Sequence, residues 1–336
     1  MKAIQIRTPA KLDKLELVTM EDPGRPGPGE IRVRLHASSL NYHDYAVANG
    51  TIPTADRRVP MSDGAGVVEE VGPNVKEFSP GDHVVSCFFP FWQDGLPPHG
   101  NFSHVPGDGL NGFACEVIVC PTKWFTRSPR HLSHLEAATL PCAALTAWRA
   151  LFVEGKIKPG ETVLILGTGG VAIFALQFAK MMGAKVILTS SSDAKLERAR
   201  ALGADHTINY KTEPKWGDAV RSLTDGIGVD HVMEIGGPGT LQQSITATKV
   251  GGHIALIGIL TGIAGNVPTM LLMAKQIRLQ GLIVGSRTQQ IEMIKALEAN
   301  PLYRPVIDKT YPLSEITQAF KYQETCGHFG KICLSI

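Results

Sequence analysis

Short apolar runs alternate with segments of helical length through the middle of the chain, from about residue 126 to residue 285. The runs are rich in valine, isoleucine and leucine, as is typical of strands that are covered on both faces. Strands that alternate with helices favour a parallel α/β sheet. We therefore predict a doubly wound sheet with strands at Val163–Leu166, Lys185–Thr189, His206–Asn209, His231–Glu234, His253–Ile257 and Leu279–Val284.

The two ends of the chain follow other patterns. In the first 125 residues, alternation of apolar and polar positions, as at Ile31–Ala37, and frequent turn signals predict a β-rich domain. We expect the tail to return to this domain, so that one domain comprises 1–125 with 286–336 and the other 126–285. The sequence of the tail predicts a helix around Gln290–Ala299, a strand near Val306, a helix from Leu313 to about Glu324 and a strand at Lys331–Leu334.

Three closely spaced glycines join the first predicted strand of the sheet to a helix at Val171–Met182. Gly167 permits a tight turn, Gly169 lets the backbone approach a pyrophosphate, and the free N–H groups of the helix start face its charge. Ala172 completes a G-x-G-x-x-G/A pattern. A tight turn without a ligand is the alternative, but the flanking strand and helix favour a dinucleotide cradle. Its residues are Gly167, Thr168, Gly169, Gly170 and Val171.

The end of the second predicted strand indicates which dinucleotide is bound. An NAD-selective site normally has an acidic residue there for the ribose 2′-hydroxyl, whereas this chain has serines at 190–192. Ser190 and Ser191 can donate to a 2′-phosphate, and Lys195 and Arg198 add positive charge, so NADP(H) is favoured over NAD(H). Alternatively, the serines cap the next helix with both cations on its solvated face, or Asp193 accepts from the ribose.

Composition changes this picture little. The 336 residues are 43% hydrophobic and 19% charged, and the formal net charge is +2, which indicates neither a nucleic-acid partner nor a membrane surface. We find no signal peptide and no apolar segment that reaches membrane-spanning length, and we expect a cytoplasmic protein. The six cysteines include no C-x-x-C pair, so neither a zinc knuckle nor a disulfide framework is indicated.

Seven segments, in this order, make the sequence similar to the medium-chain dehydrogenase/reductase superfamily over nearly its whole length. The resemblance is strongest to its zinc-independent quinone oxidoreductase-like and "zinc-type alcohol dehydrogenase-like" branch. It implies a GroES-like catalytic domain, a Rossmann domain, and a homodimer paired through Leu279–Val284. The segments are Gly64–Gly72, Gly81–Val84, Leu140–Trp148, Gly167–Val171, Ala201–Tyr210, Gly251–Gly258 and Gly327–Lys331.

The sequence departs from the zinc enzymes of this superfamily at their metal ligands. Asn41 stands where the resemblance implies the first cysteine, and the second ligand segment aligns with Ser62–Gly64. Cys142 matches the third ligand, but one thiolate without two nitrogen or sulfur companions cannot form the usual catalytic zinc site. We therefore expect no metal.

Without a metal, hydrogen-bond donors must polarise a substrate carbonyl, and a side chain or water must supply the proton. The zinc-free relatives also carry asparagine at the position of Asn41, which the resemblance therefore places beside nicotinamide and substrate. His43 is a candidate proton donor and Tyr42 an alternative. A turn asparagine, a surface histidine and a packed tyrosine ring are the corresponding structural interpretations.

Further cofactor contacts come from matched positions and from strand ends. The resemblance implies contacts from Thr146 near the nicotinamide, from Tyr210 near the adenosine phosphate and from Lys331 near the cofactor. Each of these three residues could be structural instead. The carboxyl ends of later strands, where an open α/β sheet forms its crevice, add Gly236, Gly258 and Ile259.

The segment Phe88–Phe102 combines aromatic residues with proline and glycine. It predicts either the wall of an apolar substrate pocket or a self-packed loop or dimer contact. Our leading hypothesis for the chain is a zinc-independent, NADPH-dependent oxidoreductase of quinones, α,β-unsaturated carbonyls, ketones or aldehydes, with alcohol oxidation as the reverse reaction. The alternatives are a non-catalytic, crystallin-like NADPH-binding protein and an alcohol dehydrogenase with an unusual metal site.

Overall fold

The computed structural model describes residues 1–97 and 104–336, and the chain divides into two compact units. Unit 1 comprises Met1–Leu145 together with Val284–Ile336, and unit 2 comprises Thr146–Ile283. Residues 126–145, which the sequence analysis assigned to the second domain, therefore belong to unit 1.

The chain begins with the strands and helices of the first part of unit 1. They are β1 (Lys2–Ile6), β2 (Leu15–Thr19), β3 (Glu30–Ser39), α1 (Tyr42–Ala48), β4 (Ala65–Val71), β5 (His83–Ser86), β6 (Val117–Pro121), β7 (Phe125–Arg127) and α2 (His134–Ala137). A helical stretch follows, in which α3 (Leu145–Trp148) lies between π-type turns at Leu140–Ala144 and Arg149–Glu154.

Strands and helices then alternate through unit 2, and the last four elements return to unit 1. Those of unit 2 are β8 (Thr162–Leu166), α4 (Gly170–Met181), β9 (Lys185–Ser190), α5 (Asp193–Ala201), β10 (His206–Asn209), α6 (Trp216–Ser222), β11 (Val229–Glu234), α7 (Pro238–Ala247), β12 (Thr248–Leu256), α8 (Thr269–Ala274) and β13 (Arg278–Gly281). The last four are α9 (Arg287–Glu298), β14 (Ile307–Pro312), α10 (Ile316–Glu324) and β15 (Lys331–Ser335).

The sheet of unit 1 is built around β3. This strand pairs antiparallel with β4, β6 and β15, within the order β14-β15-β3-β4-β5-β7. Ile31, Val33 and Leu35 are each at most 2% exposed, so the predicted alternation of this strand is confirmed. A Cβ atom on Gly66 of β4 would lie 1.9 Å from the carbonyl oxygen of Arg34, which explains why a glycine is needed there.

Unit 2 contains a six-stranded parallel sheet in the order β10-β9-β8-β11-β12-β13. It confirms the predicted doubly wound sheet. Because strand order reverses between β8 and β11, the carboxyl ends of these strands form the crevice in which such sheets bind ligands. The last strand is shorter than the predicted Leu279–Val284: its pairing with β12 ends at Gly281, and Val284 turns away with a φ of +48°.

The described part of the aromatic segment, residues 88–97, is packed at its start and exposed further on, where Phe91 is 49% and Leu96 89% exposed. Phe88 and Trp92 are 4% and 2% exposed, and the Trp92 indole N–H donates to the Gly95 carbonyl at 3.0 Å. The backbone N–H of Arg287, at the start of α9, donates to the Trp92 carbonyl at 3.0 Å. This part of the segment therefore packs partly on itself and partly against α9, and both interpretations of it stay predictions. Residues 98–102 lie outside the described residues.

Over the parts of the chain that the structure describes, none of the helices combines the length and the apolar character that a membrane crossing requires.

Candidate functional site

The candidate catalytic segment begins where β3 ends and α1 starts. Asn41 is the N-cap of α1, and its backbone N–H donates to Asp44 Oδ2 at 2.9 Å. Asp44 is 1% exposed, and its Oδ1 accepts the backbone N–H of Ser62 at 2.7 Å. One carboxylate thus joins the helix start to the segment that precedes β4, which fixes both backbones.

The side chain of Asn41 reaches into that second segment. Its Nδ2 donates to Ser62 Oγ at 3.2 Å and to Asp63 Oδ2 at 2.8 Å. Asp63 has no exposed surface, and its Oδ2 also accepts from Ser39 Oγ at 3.0 Å. Met61, just before these residues, has a φ of +79°, a costly conformation for a side chain other than glycine. The strained turn brings Ser62 and Asp63 to face Asn41.

Lys331, at the start of β15, completes this polar cluster. It is 3% exposed, and its ammonium donates to the Leu40 carbonyl at 2.6 Å and to Asn41 Oδ1 at 2.5 Å. It lies 3.9 Å from Asp63 Oδ2. Burial raises the pKa of Asp63 to about 7, although Lys331 acts in the opposite direction. The cofactor contact that the resemblance implied for Lys331 stays a prediction, since the ammonium is engaged inside unit 1.

His43 lies on the first turn of α1 between two carboxylates. Its Nε2 is 2.9 Å from Asp108 Oδ2, and its Nδ1 is 3.7 Å from Asp44 Oδ1. Burial by itself lowers the pKa of His43, but the hydrogen bonds to Asp108 and Asp44 outweigh it and raise the pKa to about 9. The buried Nδ1 has no hydrogen-bond partner among the described residues. His43 is therefore an imidazolium at neutral pH, with Nε2 held by Asp108 and Nδ1 facing the Asp44 carboxylate at 3.7 Å.

Tyr42 and Phe88 flank this histidine in different ways. Tyr42 is 59% exposed, and its ring centroid lies 6.0 Å from that of Tyr45. The Phe88 ring meets the His43 ring edge-on, with 5.3 Å between the centroids. Tyr42 can reach solvent or a ligand, whereas Phe88 packs beside His43.

The residues at the implied zinc-ligand positions do not fit a zinc ion. The Asn41 carboxamide oxygen already accepts from an ammonium, and Ser62 provides a hydroxyl. Cys142 would remain as a single thiolate, which cannot form the usual catalytic zinc site without two nitrogen or sulfur companions. Within 1–97 and 104–336, no group of three or more His, Cys, Asp or Glu side chains is placed to hold a metal.

In unit 2, the glycine-rich turn links β8 to α4. Gly167 has a φ of +79°, and a Cβ atom there would lie 3.0 Å from Ile235 Cδ1, so the tight turn requires glycine. Gly169 is the N-cap of the twelve-residue α4 and supplies no side chain to its first N–H groups. These donors fit the pyrophosphate of a dinucleotide. Thr168 is buried, while Gly170 and Val171 form the first turn of α4.

The turn after β9 holds the candidate 2′-phosphate residues. Ser192 is the N-cap of α5, so the capping interpretation is correct for this serine. Asp193 Oδ1 accepts from Asn209 Nδ2 at 2.8 Å. The carboxylate that was the alternative acceptor for the ribose 2′-hydroxyl therefore already has a partner. Ser190 and Ser191 lie at the strand end, with Lys195 on the first turn of α5.

Of the remaining predicted cofactor residues, Gly236, Gly258, Ile259 and Tyr210 follow strands of unit 2, and Thr146 lies in α3. The buried Glu234, which the sequence analysis missed, ends β11 and accepts the backbone N–H of Gly236 at 2.7 Å. A Cβ atom on Gly258 would lie 2.3 Å from the Ile235 carbonyl oxygen, so these two strand ends approach closely. Three further predicted residues differ in exposure: Ile259 and Tyr210 are exposed, and Thr146 is buried in α3.

Sequence reasoning missed the carboxylates of the catalytic segment. Asp44 had a signal, because the spacing Asn41-x-x-Asp44 matches a capping pattern. Asp63 was noted only as a lost zinc-ligand position. Asp108 lies 65 residues from His43 in the chain, and nothing in its local sequence indicates the contact.

Two family models match the chain. "Alcohol dehydrogenase GroES-like domain" matches residues 27–130 and "Zinc-binding dehydrogenase" matches residues 170–299. They confirm the GroES-like and Rossmann-type architecture.

Named relatives agree with these models. The chain is 42% identical over 333 residues to a zinc-type alcohol dehydrogenase-like protein of Schizosaccharomyces pombe, covering 96% of each. It is 31% identical to a 2-haloacrylate reductase of a Burkholderia species, covering 93% of this chain and 92% of the reductase. A quinone oxidoreductase structure from Pseudomonas syringae superposes with a TM-score of 0.83 at 30% identity, covering 100% of this chain and 99% of the other.

Proposed function

The chain belongs to the medium-chain dehydrogenase/reductase superfamily and is an oxidoreductase of that type, and we propose that it is a zinc-independent, NADPH-dependent reductase. Its proposed substrates are quinones, α,β-unsaturated carbonyls, ketones or aldehydes, with alcohol oxidation as the reverse reaction. The similarity to a 2-haloacrylate reductase and to a quinone oxidoreductase supports this substrate class.

The observation that carries the proposal is the Asp108–His43 pair. An imidazolium oriented by a carboxylate, whose Nδ1 makes no hydrogen bond to the described residues and lies 3.7 Å from Asp44, is a proton donor that needs no metal. In the reductive direction, His43 would protonate the substrate oxygen, or the carbon that receives the proton in an activated alkene. Tyr42, which is exposed, is the alternative donor.

Asn41 has a different role in this proposal. Its carboxamide oxygen accepts from Lys331, and its two N–H groups donate to Ser62 and Asp63. A carboxamide offers two N–H donors, so none is left to polarise a substrate oxygen. We assign Asn41 to holding the start of α1, and the polarising role to the charged His43.

The cofactor proposal rests on the turns that follow β8 and β9. The backbone donors of Gly169 to Val171 would hold the pyrophosphate, with Thr168 beside them. Ser190, Ser191, Lys195 and Tyr210 would surround the 2′-phosphate, because the nearby Asp193 carboxylate is bonded to Asn209. NADPH supplies the hydride when bound.

Turnover with a substrate panel tests this function. Purified protein, treated with a chelator and checked for metal content, should oxidise NADPH with at least one quinone, enal, ketone or aldehyde, and should use NADH less well. Tight NADPH binding without any turnover would favour the non-catalytic alternative. Activity that is lost on chelation and restored by zinc would contradict zinc independence.

We also propose that the protein is a homodimer through the edge of the unit 2 sheet. Within the described residues β13 pairs only with β12, and the segment before it in the chain exposes Ile263, Met270 and Met273 at 89%, 75% and 73%. An open strand edge and exposed apolar side chains both favour association with a second copy. Analytical sedimentation should therefore give the mass of a dimer. Met270→Lys should shift the protein towards the monomer, whereas the control Lys295→Ala should sediment as the wild-type protein does. A wild-type monomer would contradict the proposal.

A further inference from the structure

The ammonium of Lys331 occupies the centre of the polar cluster in unit 1. It donates to the Leu40 carbonyl at 2.6 Å and to Asn41 Oδ1 at 2.5 Å, and the lysine is 3% exposed. Leu40 and Asn41 are the residues that join β3 to α1. The cation therefore holds the chain at the point from which Tyr42 and His43 project.

A buried ammonium needs an opposite charge nearby, since burying an unpaired ion is costly. Asp63, which has no exposed surface, places Oδ2 3.9 Å from Lys331 Nζ. The same oxygen accepts from Asn41 Nδ2 at 2.8 Å. Asn41 thus lies between the Lys331 ammonium and the Asp63 carboxyl group.

This arrangement determines the orientation of the Asn41 carboxamide. An ammonium can only donate, so the amide oxygen must face Lys331, and the amide nitrogen then faces Asp63 Oδ2. A flipped carboxamide would bring its N–H groups against the ammonium and its oxygen against the carboxylate. The charge of Lys331, and not merely its volume, selects one orientation.

Asn41 donates to Ser62 and Asp63 in this cluster, and the resemblance aligns Asn41 and the segment Ser62–Gly64 with two ligand positions of the superfamily's zinc enzymes. We propose that Lys331 is the resident cation of this site, taking the place of a metal charge, and that it is a positioning residue which locks Asn41 and the start of α1. This inference rests on the proposed reductase function, and it assigns Lys331 a role other than cofactor contact.

Two variants separate the charge from the packing. Lys331→Met keeps most of the apolar stem but removes the ammonium, and we expect kcat to fall about 100-fold with KM within about threefold of the wild-type value. In Lys331→Ala, kcat should fall by a similar factor. This variant also leaves a cavity that propylammonium could fill. Lys295→Ala on α9, an exposed lysine, is the matched control and should keep wild-type kcat.

Chemical rescue provides the decisive measurement. Added propylammonium should restore kcat of Lys331→Ala at least about tenfold in a saturable way and raise its Tm, because it binds the folded state. Tetramethylammonium at equal concentration carries the same charge but has no N–H donor, and should do neither. The wild-type protein and Lys331→Met, which have no such space, should not respond.

Two results would overturn the proposal: wild-type kcat in Lys331→Met, or no effect of propylammonium beyond that of tetramethylammonium on both kcat and Tm of Lys331→Ala. If Lys331→Ala does not fold, the kcat and KM of Lys331→Met test the proposal: a fall in kcat at nearly constant KM supports it, and wild-type kcat contradicts it. If the wild-type protein turns over no substrate, the proposed function fails, and the Tm response of Lys331→Ala still decides the role of the cation.

Discussion

Replacing His43 with asparagine is expected to lower kcat for reduction about 100- to 1,000-fold with little change in KM. The physical reason is that the imidazolium, oriented by Asp108 at 2.9 Å, supplies a proton only as charge develops on the substrate. Asparagine keeps a hydrogen-bond donor but has no proton to transfer. Steady-state kinetics with the best substrate of the panel measure the effect.

The pH profile provides a second readout of His43. The pKa of His43 is raised to about 9. The kcat of the wild-type protein should therefore be constant below that pH and should fall above it, as the imidazolium deprotonates. The direction follows because the protonated form is the active acid. His43→Asn should lack this decline at high pH.

Two variants serve as controls for this experiment. His206→Asn changes an exposed histidine of β10 and should leave both kcat and its pH profile unchanged. Tyr42→Phe removes the alternative donor. If Tyr42→Phe lowers kcat and His43→Asn does not, Tyr42 is the proton donor and our assignment of His43 is wrong.

Replacing Ser190 with aspartate is expected to lower kcat/KM for NADPH about 100-fold and to improve the use of NADH relative to NADPH. Ser190 is the last residue of β9 and 4% exposed, at the position where NAD-selective sites carry an acid. A carboxylate there would repel the 2′-phosphate and could accept from a free ribose hydroxyl. Kinetics with both cofactors at one saturating substrate concentration measure the change.

Ser190→Asn is the matched control, because asparagine has the shape of aspartate without its charge. We expect it to lose less NADPH activity than Ser190→Asp. Equal losses in the two variants would show that size, and not charge, limits the site. A wild-type preference for NADH would contradict the NADP(H) prediction itself.

The parallel sheet of unit 2 could be predicted closely from the sequence. The predicted strand His206–Asn209 coincides with β10, and Val163–Leu166 lies within β8. Strands that are buried on both faces, such as β8, must be apolar along their length, so composition marks them, whereas β10 is an edge strand that follows from the alternation of strands with helices. The end of β13 could not be predicted in this way, because apolar residues continue past Gly281 although the pairing with β12 stops there.

The candidate site was predictable only in part. The segment Asn41–Asp44 was recognised, but the groups that give it its chemistry come from elsewhere in the chain. Asp108 raises the pKa of His43, and Lys331, 290 residues away, orients Asn41. Such contacts leave no local pattern, since they depend on which strands become neighbours.

The sequence by itself determined the two architectures and predicted a dinucleotide cradle and the absence of the usual zinc ligands, because periodicity, glycine positions and residue types are local properties of a chain. Only the tertiary structure decided that Asn41 is fully engaged, that Lys331 lies inside unit 1 beside Asp63, and that His43 is held as a cation. These properties arise from charges and hydrogen-bond donors that the fold brings within a few ångströms of each other, and their strength depends on the burial that the same fold creates.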